Sequence, residues 1–195
     1  MSATLSPQEA WSLVCEWTES DSLRRHMLAV ATALRAYAGR YGGDPDEWEA
    51  VGLLHDLDYE RHPELETGHP RVAMEVLSAR DDVPEHWVRA IASHADYMGV
   101  ARESDLEKAL FAVDELSGFV TACAYVRPQG IEGLTPKSVK KKLKTPAFAA
   151  AISRDDVRNG AAELGVDFDE HVAFVIAALE TRADELGLCG RDAVA

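Results

Sequence analysis

Three helix starts in this chain are written as a capping side chain followed at once by proline: Ser6-Pro7, Asp44-Pro45 and Thr135-Pro136. Ser, Asp and Thr accept hydrogen bonds from the open N–H groups of a helix's first turn. Proline at the first helical position gives up no bond and brings the right φ. His69-Pro70 and Val83-Pro84 set two more starts of this kind. Behind each start, apolar residues recur at spacings of three and four, the period of a helix with one buried face. No segment alternates apolar and polar residues as a half-buried strand does, and no hairpin turn joins two such segments. A chain punctuated this way can build helices and little else.

The starts and stops predict the elements. A first helix begins at Pro7 with Ala10, Trp11, Val14 and Trp17 on one face. A second begins near Asp21, is striped by Leu23, His26, Met27, Val30, Ala33, Leu34 and Tyr37, and ends at Gly39 or Gly42-Gly43. A third runs from Pro45 through Trp48, Val51 and Gly52 to His55. Polar residues from Leu57 to Gly68 read as a loop. Helices follow from Pro70, from Pro84, from about Asp105 to Tyr125, from Pro136, from Arg154-Asp155-Asp156, and over about 169–186. The expected fold is an all-α bundle in one domain, 1–195. Its core is expected at about 22–125, with the extra C-terminal helices of 126–195 as a candidate cover for a site.

At 195 residues with 47 % hydrophobic and 28 % charged residues, the chain can bury a real core. A net charge of −14 opposes nucleic acid phosphates, so no nucleic acid polymer is expected as partner. No apolar run is long enough to span a membrane, and the first residues lack a basic and apolar leader. The three cysteines, Cys15, Cys123 and Cys189, are odd in number and far apart, as suits reduced thiols. These features together predict a cytoplasmic protein with no membrane partner. Five of the six lysines crowd into Lys137–Lys144. That cluster is either a solvated helix face or a local anion site on an acidic protein.

The chemistry lies in polar residues on apolar faces. His26 sits between Leu23 and Val30, and His55 follows Trp48 and Val51. His69 stands in line with Val72 and Val76, His94 continues the stripe of Trp87 and Ile91, and Asp114 follows Leu110 and Phe111. Asp56 is next to His55. A buried carboxylate without a partner costs several kcal/mol, and no Lys or Arg shares the face of Asp114 within a turn. One bound cation site would satisfy all six groups. Imidazoles and carboxylates without thiolate suit iron, manganese, zinc or nickel. His62, His86 and His171 lie in polar or capping contexts and are assigned surface or structural roles.

The order His26 … His55-Asp56 … Asp114 resembles the HD-domain superfamily of metal-dependent phosphohydrolases, over about 22–125. His69 and His94 match the two additional histidines of its two-metal members. Val88–His94 followed by Leu106–Asp114 resembles the HDIG-type branch and is similar to symmetrical dinucleoside tetraphosphate hydrolases. The chain departs from that branch at His55-Asp56-Leu57-Asp58, where HD-Ile-Gly is usual, and it has no GYP motif. The resemblance implies two divalent ions bridged by Asp56, one held by His26, His55 and Asp114 and the other by His69 and His94. It implies hydrolysis of a small phosphorylated substrate by a metal-activated water. Asp58 and Glu60, close behind the HD pair, are expected as proton carriers or water positioners. Arg61, Lys137, Lys140 and Lys141 are expected as substrate-binding cations.

Two other readings use the same ligands. One is a mixed-valent di-iron oxygenase of the same fold acting on a phosphonate or polyol. The other is a non-catalytic sensor that has kept the fold. Metal content and oxygen consumption separate them.

Overall fold

The computed structural model describes residues 4–190. Ten α-helices run in order: α1 Pro7–Trp17, α2 Asp21–Tyr41, α3 Pro45–Leu54, α4 Arg71–Ser78, α5 Glu85–His94, α6 Asp105–Tyr125, α7 Pro136–Leu143, α8 Arg154–Leu164, α9 Phe168–Glu180 and α10 Ala183–Leu186. A 3-10 turn, Asp96–Met98, follows α5. No strand forms among the described residues; the one β-type pairing is an isolated bridge between Gly130 and Cys189. The fold is all-α, as the helix starts predict. The chain divides into two compact units, Met1–Phe111 and Ala112–Ala195.

In the first unit α2 is the central element. Met27 to Leu34 are buried without a break, the signature of a helix enclosed on all sides. Ser20 caps its start and Gly42, at φ 72°, closes its end in the left-handed region that glycine adopts without strain. α3 packs along α2, and α1 packs on α3. The approach of α3 to α2 depends on Gly52, because a Cβ there would come within 2.6 Å of Ala31 Cα. That close approach sets His55, three residues beyond Gly52, beside His26 of α2, with ring centroids 5.3 Å apart. α4 and α5 pack on each other, and α5 also meets α3.

In the second unit α7, α8 and α10 all pack on α9. Asn159-Gly160, a dipeptide common in hairpin turns, lies inside α8. There the glycine lets the helix come close to Ala112, whose Cα would stand 2.6 Å from an added Cβ. The helix expected over 169–186 is broken into α9 and α10. No glycine or proline breaks it. The Thr181 hydroxyl instead donates to Ala178 O at 2.7 Å, offering the backbone a local alternative at the helix end. α8 is capped by Ser153, one residue before the expected opening.

Candidate metal centre

The HD pair sits where a helix stops. α3 ends at Leu54, and His55 is its C-cap. The chain then turns repeatedly: Leu57 N bonds to Leu54 O, Tyr59 N to Asp56 O, and His62 N to Asp58 O. Neighbours on a continuous helix diverge by about 100°. Here the turn lets the His55 ring and the Asp56 carboxylate converge, with Nε2 3.5 Å from Oδ2.

The two oxygens of Asp56 face two different pairs of imidazoles. Oδ2 lies 3.6 Å from His26 Nε2 and 3.5 Å from His55 Nε2. Oδ1 lies 3.4 Å from His69 Nε2 and 3.7 Å from His94 Nε2. Two ligand groups result, His26–His55–Asp56 and Asp56–His69–His94, each with its donor atoms within 4.8 Å of one another. Donors bound to one ion at about 2.1 Å, with about 100–120° between them, lie about 3.2–3.6 Å apart. The observed separations match that spacing closely.

Tautomers sharpen the case. His55 Nδ1 is 2.7 Å from Gly52 O, and His94 Nδ1 is 2.5 Å from Ile91 O. His69 Nδ1 is 2.8 Å from Asp58 Oδ1. Each partner is an acceptor, so each Nδ1 carries the proton and donates it. A neutral ring with its proton on Nδ1 offers a lone pair at Nε2. His69 Nε2 and His94 Nε2 nevertheless face each other at 3.2 Å. Two lone pairs aimed at one another repel, and a cation between them turns that repulsion into ligation. The residues present therefore fit a metal on their own geometry.

His55, His69 and His94 are buried, whereas His26 and Asp56 keep 24 % and 13 % of their side chains exposed. The centre is open at the edge that His26 and Asp56 form. Two exposed tyrosines border the His69 side. The Tyr59 ring stands edge-on to His69 at 5.1 Å, and the Tyr97 hydroxyl donates to His69 O at 3.0 Å. Partial burial, and then the negative charges of Asp56 and Asp58, push the Tyr97 phenol up to about 12.

The structure gives several of the expected site residues hydrogen-bond partners of their own. Asp58 is fully buried. Its Oδ1 accepts from His69 Nδ1 and its Oδ2 accepts from Ala73 N at 2.7 Å, in the first turn of α4. Both oxygens are engaged behind the histidine, and Asp58 thereby orients the His69 ring. Glu60 accepts from Glu19 N at 2.7 Å and Ser20 N at 3.2 Å, at the start of α2. It thus ties the turn to α2. Arg61 donates to Glu16 O at 2.5 Å and stacks over Trp17 at 4.9 Å, contacts that anchor it to α1.

The remaining residues lie in the second unit. Asp114 is half-buried on α6. Lys137, Lys140 and Lys141 are on α7, and Lys140 pairs with Asp169 of α9 at 2.6 Å. His171 is fully buried, and its Nε2 donates to Ala112 O at 3.0 Å, a structural bond. His86 is exposed and pairs with Glu47, and His62 lies in the turn after the HD pair.

Sequence reasoning missed Tyr59 and Tyr97. The dipeptide Asp-Tyr occurs at Asp58-Tyr59 and Asp96-Tyr97, each tyrosine three residues after a ligand-type residue, Asp56 or His94. That repetition was the available signal.

A comparison with protein families matches the HD domain to residues 23–118, a span that contains His26, His55, Asp56, His69, His94 and Asp114. No curated protein matches the chain.

Proposed function

We propose, from the match of residues 23–118 to the HD domain and from the resemblance to metal-dependent phosphohydrolases of that superfamily, that this chain hydrolyses a phosphoester or phosphoanhydride of a nucleotide or another small phosphorylated metabolite. The observation that carries the reading is the Asp56 carboxylate between two imidazole pairs. His26, His55 and Asp56 Oδ2 would hold one divalent ion, and His69, His94 and Asp56 Oδ1 a second. Asp114, on α6, is the further ligand that the family resemblance implies. Bound ions would supply the charge that makes a water acidic near neutral pH and that stabilises the phosphoryl oxygens.

The chain's own residues do the rest. The bonds from His55 and His94 to the carbonyls of Gly52 and Ile91 fix two rings with their lone pairs inward. Asp58 fixes the third ring and raises its basicity, as carboxylates behind metal-binding histidines do. The exposed edge at His26 and Asp56 admits the substrate. The lysine cluster of α7 is part of the proposal as a phosphate-holding surface. Its support is the concentration of five lysines in a chain of charge −14. The finer placement, near the HDIG-type branch and the symmetrical dinucleoside tetraphosphate hydrolases, rests on motif spacing, with Asp58 standing where that branch has glycine.

The test is hydrolytic release of product, read by chromatography of the organic and phosphorylated products, by the full chain loaded in turn with manganese, iron, zinc and nickel, across a panel of phosphomonoesters, diesters and anhydrides. Metal-dependent release that disappears in Asp56→Ala is the expected result. No release by fully loaded protein overturns the proposal, and oxygen consumption on a phosphonate or polyol with iron bound would select the oxygenase chemistry in its place.

A further inference from the structure

Among the described residues, five large hydrophobic side chains are strongly exposed: Tyr59, Leu65, Tyr97, Tyr125 and Val126. Three of the five fall on the segments around His69. Tyr59 and Tyr97 are each 44 % exposed, and both touch the same residue. Tyr59 meets the His69 ring edge-on, and Tyr97 bonds to its carbonyl. The Tyr97 phenol also lies within electrostatic reach of Tyr59, Asp56 and Arg71. Leu65 stands in the segment before α4, and its carbonyl accepts from Arg71 Nη1 at 2.5 Å.

Each tyrosine is held in place by its neighbourhood. Tyr59 follows Asp58, which is fixed by two hydrogen bonds. Tyr97 belongs to the 3-10 turn Asp96–Met98, and its hydroxyl is engaged. An exposed ring pinned this way loses little freedom when something packs on it, and tyrosine supplies large contact area at low entropic cost. Solvent-facing apolar side chains scattered singly need no explanation. Two pinned aromatic rings on one ligand of a metal centre form a surface.

We propose that Tyr59 and Tyr97 form an aromatic rim that holds a planar ring of the substrate, so that the site selects phosphate esters whose organic part is aromatic or heteroaromatic over those with an aliphatic organic part. This specificity role rests on the phosphohydrolase reading for its phosphate but not for its ring. Stacking needs a π-face and tolerates many rings. Arg71, beside the rim, adds positive charge at the place where a phosphorylated ligand would enter.

The experiment measures equilibrium affinities, so it does not depend on turnover. Calorimetry on the full metal-loaded chain compares adenosine monophosphate with ribose 5-phosphate, and phenyl phosphate with methyl phosphate. The expected preference for the ring-bearing ligand is about five- to hundredfold, the range of base–aromatic stacking. Tyr59→Leu and Tyr97→Leu should each cut that ratio at least about threefold and together bring it near one. Tyr59→Phe and Tyr97→Phe, which keep the ring, should preserve it. Tyr125→Leu, an exposed tyrosine of the second unit, should leave it unchanged. Preference for adenosine monophosphate alone marks a nucleotide site, and preference in both pairs marks a general aryl site; either supports the rim. Equal affinities within both pairs, or a preference that survives the double Leu substitution, overturns it. Hydrolysis is then scored on the same ligands. A ring preference without hydrolysis of these ligands or of any diester or anhydride of the panel overturns the phosphohydrolase reading and leaves the rim standing. Release that is indifferent to the ring does the reverse.

Discussion

The two units treat buried histidine in opposite ways. In the second unit His171 is fully buried, and its Nε2 donates to a main-chain carbonyl. In the first unit His55, His69 and His94 are buried with Nδ1 as the donor, so that Nε2 presents a lone pair to a carboxylate or to another imidazole. The same side chain is a core residue in one place and a candidate ligand in the other, and the two differ in the nitrogen that holds the proton. The buried polar inventory follows the same division. Among the described residues, Thr18, Thr32, Glu49, His55, Asp58, His69, Ser93, His94 and Glu107 are buried in the first unit, against Ser117 and His171 in the second. Burying polar groups costs free energy unless partners replace water. Four of the nine gather at one carboxylate, with His55, His69 and His94 facing Asp56 and Asp58 behind His69, and that concentration indicates a candidate site.

The largest effect that can break this contrast is at Asp56. Asp56→Ala removes the carboxylate that faces both imidazole pairs, and it should abolish metal retention and activity together, as should His55→Ala. Metal analysis after gel filtration checks this, and full metal occupancy in Asp56→Ala would sink the assignment. Asp58→Asn comes next. It keeps the shape but weakens the bond to His69, and metal affinity should fall about 10–100-fold, read by competition with a chelator. His171→Ala sharpens the contrast from the other side. It should lower stability by about 2–4 kcal/mol, as a truncation that opens a cavity in a core, and leave metal content unchanged; a loss of metal would erase the distinction between the two kinds of buried histidine.

A smaller effect is expected at Glu107, which closes the start of α6. Its carboxylate accepts from Glu103 N at 2.6 Å and Ser104 N at 3.0 Å, and pairs with Arg89 at 2.9 Å. Burial pushes this carboxyl up, but the two backbone N–H groups and Arg89 outweigh it and hold it below the ordinary glutamate range. A carboxyl lowered in the folded state contributes stability that is present above its unfolded value and lost as pH falls through its folded value. Glu107→Gln should therefore cost about 1–3 kcal/mol at pH 7, and the difference from the parent chain should shrink below about pH 4 in denaturant titrations. The smallest effect concerns α7. Lys142 lies over Phe148 at 4.6 Å. Lys142→Ala should lower stability by about 0.5–1 kcal/mol, while exposed Lys141→Ala should not. If α7 holds substrate phosphate, Lys140→Ala and Lys141→Ala should raise KM, and added salt should weaken the effect.

What could be read from the sequence was local. Ser6, Asp44, Thr135 and Asp167 announce their helices because a cap needs only the next three residues. His26, His55, His69 and His94 stand out because each interrupts an apolar stripe. Asp58, Glu60 and Arg61 were not legible. Their partners are Ala73, Glu19 and Glu16, which lie 15 to 45 residues away along the chain, and only the turn after Leu54 decides which way each side chain leaves the backbone. The tyrosine rim escaped for a related reason, since exposure beside a ligand is a property of the fold.

The central claim is that Asp56 bridges two ions, each held by its own pair of imidazoles. It is tested most directly by counting metal in full-length protein purified without added metal or chelator, then locating the ions by anomalous scattering. The account predicts about two ions per chain, about 3.5–4 Å apart, with one oxygen of Asp56 on each. A fully loaded chain holding a single ion, with His69 and His94 turned away from it, would contradict the account.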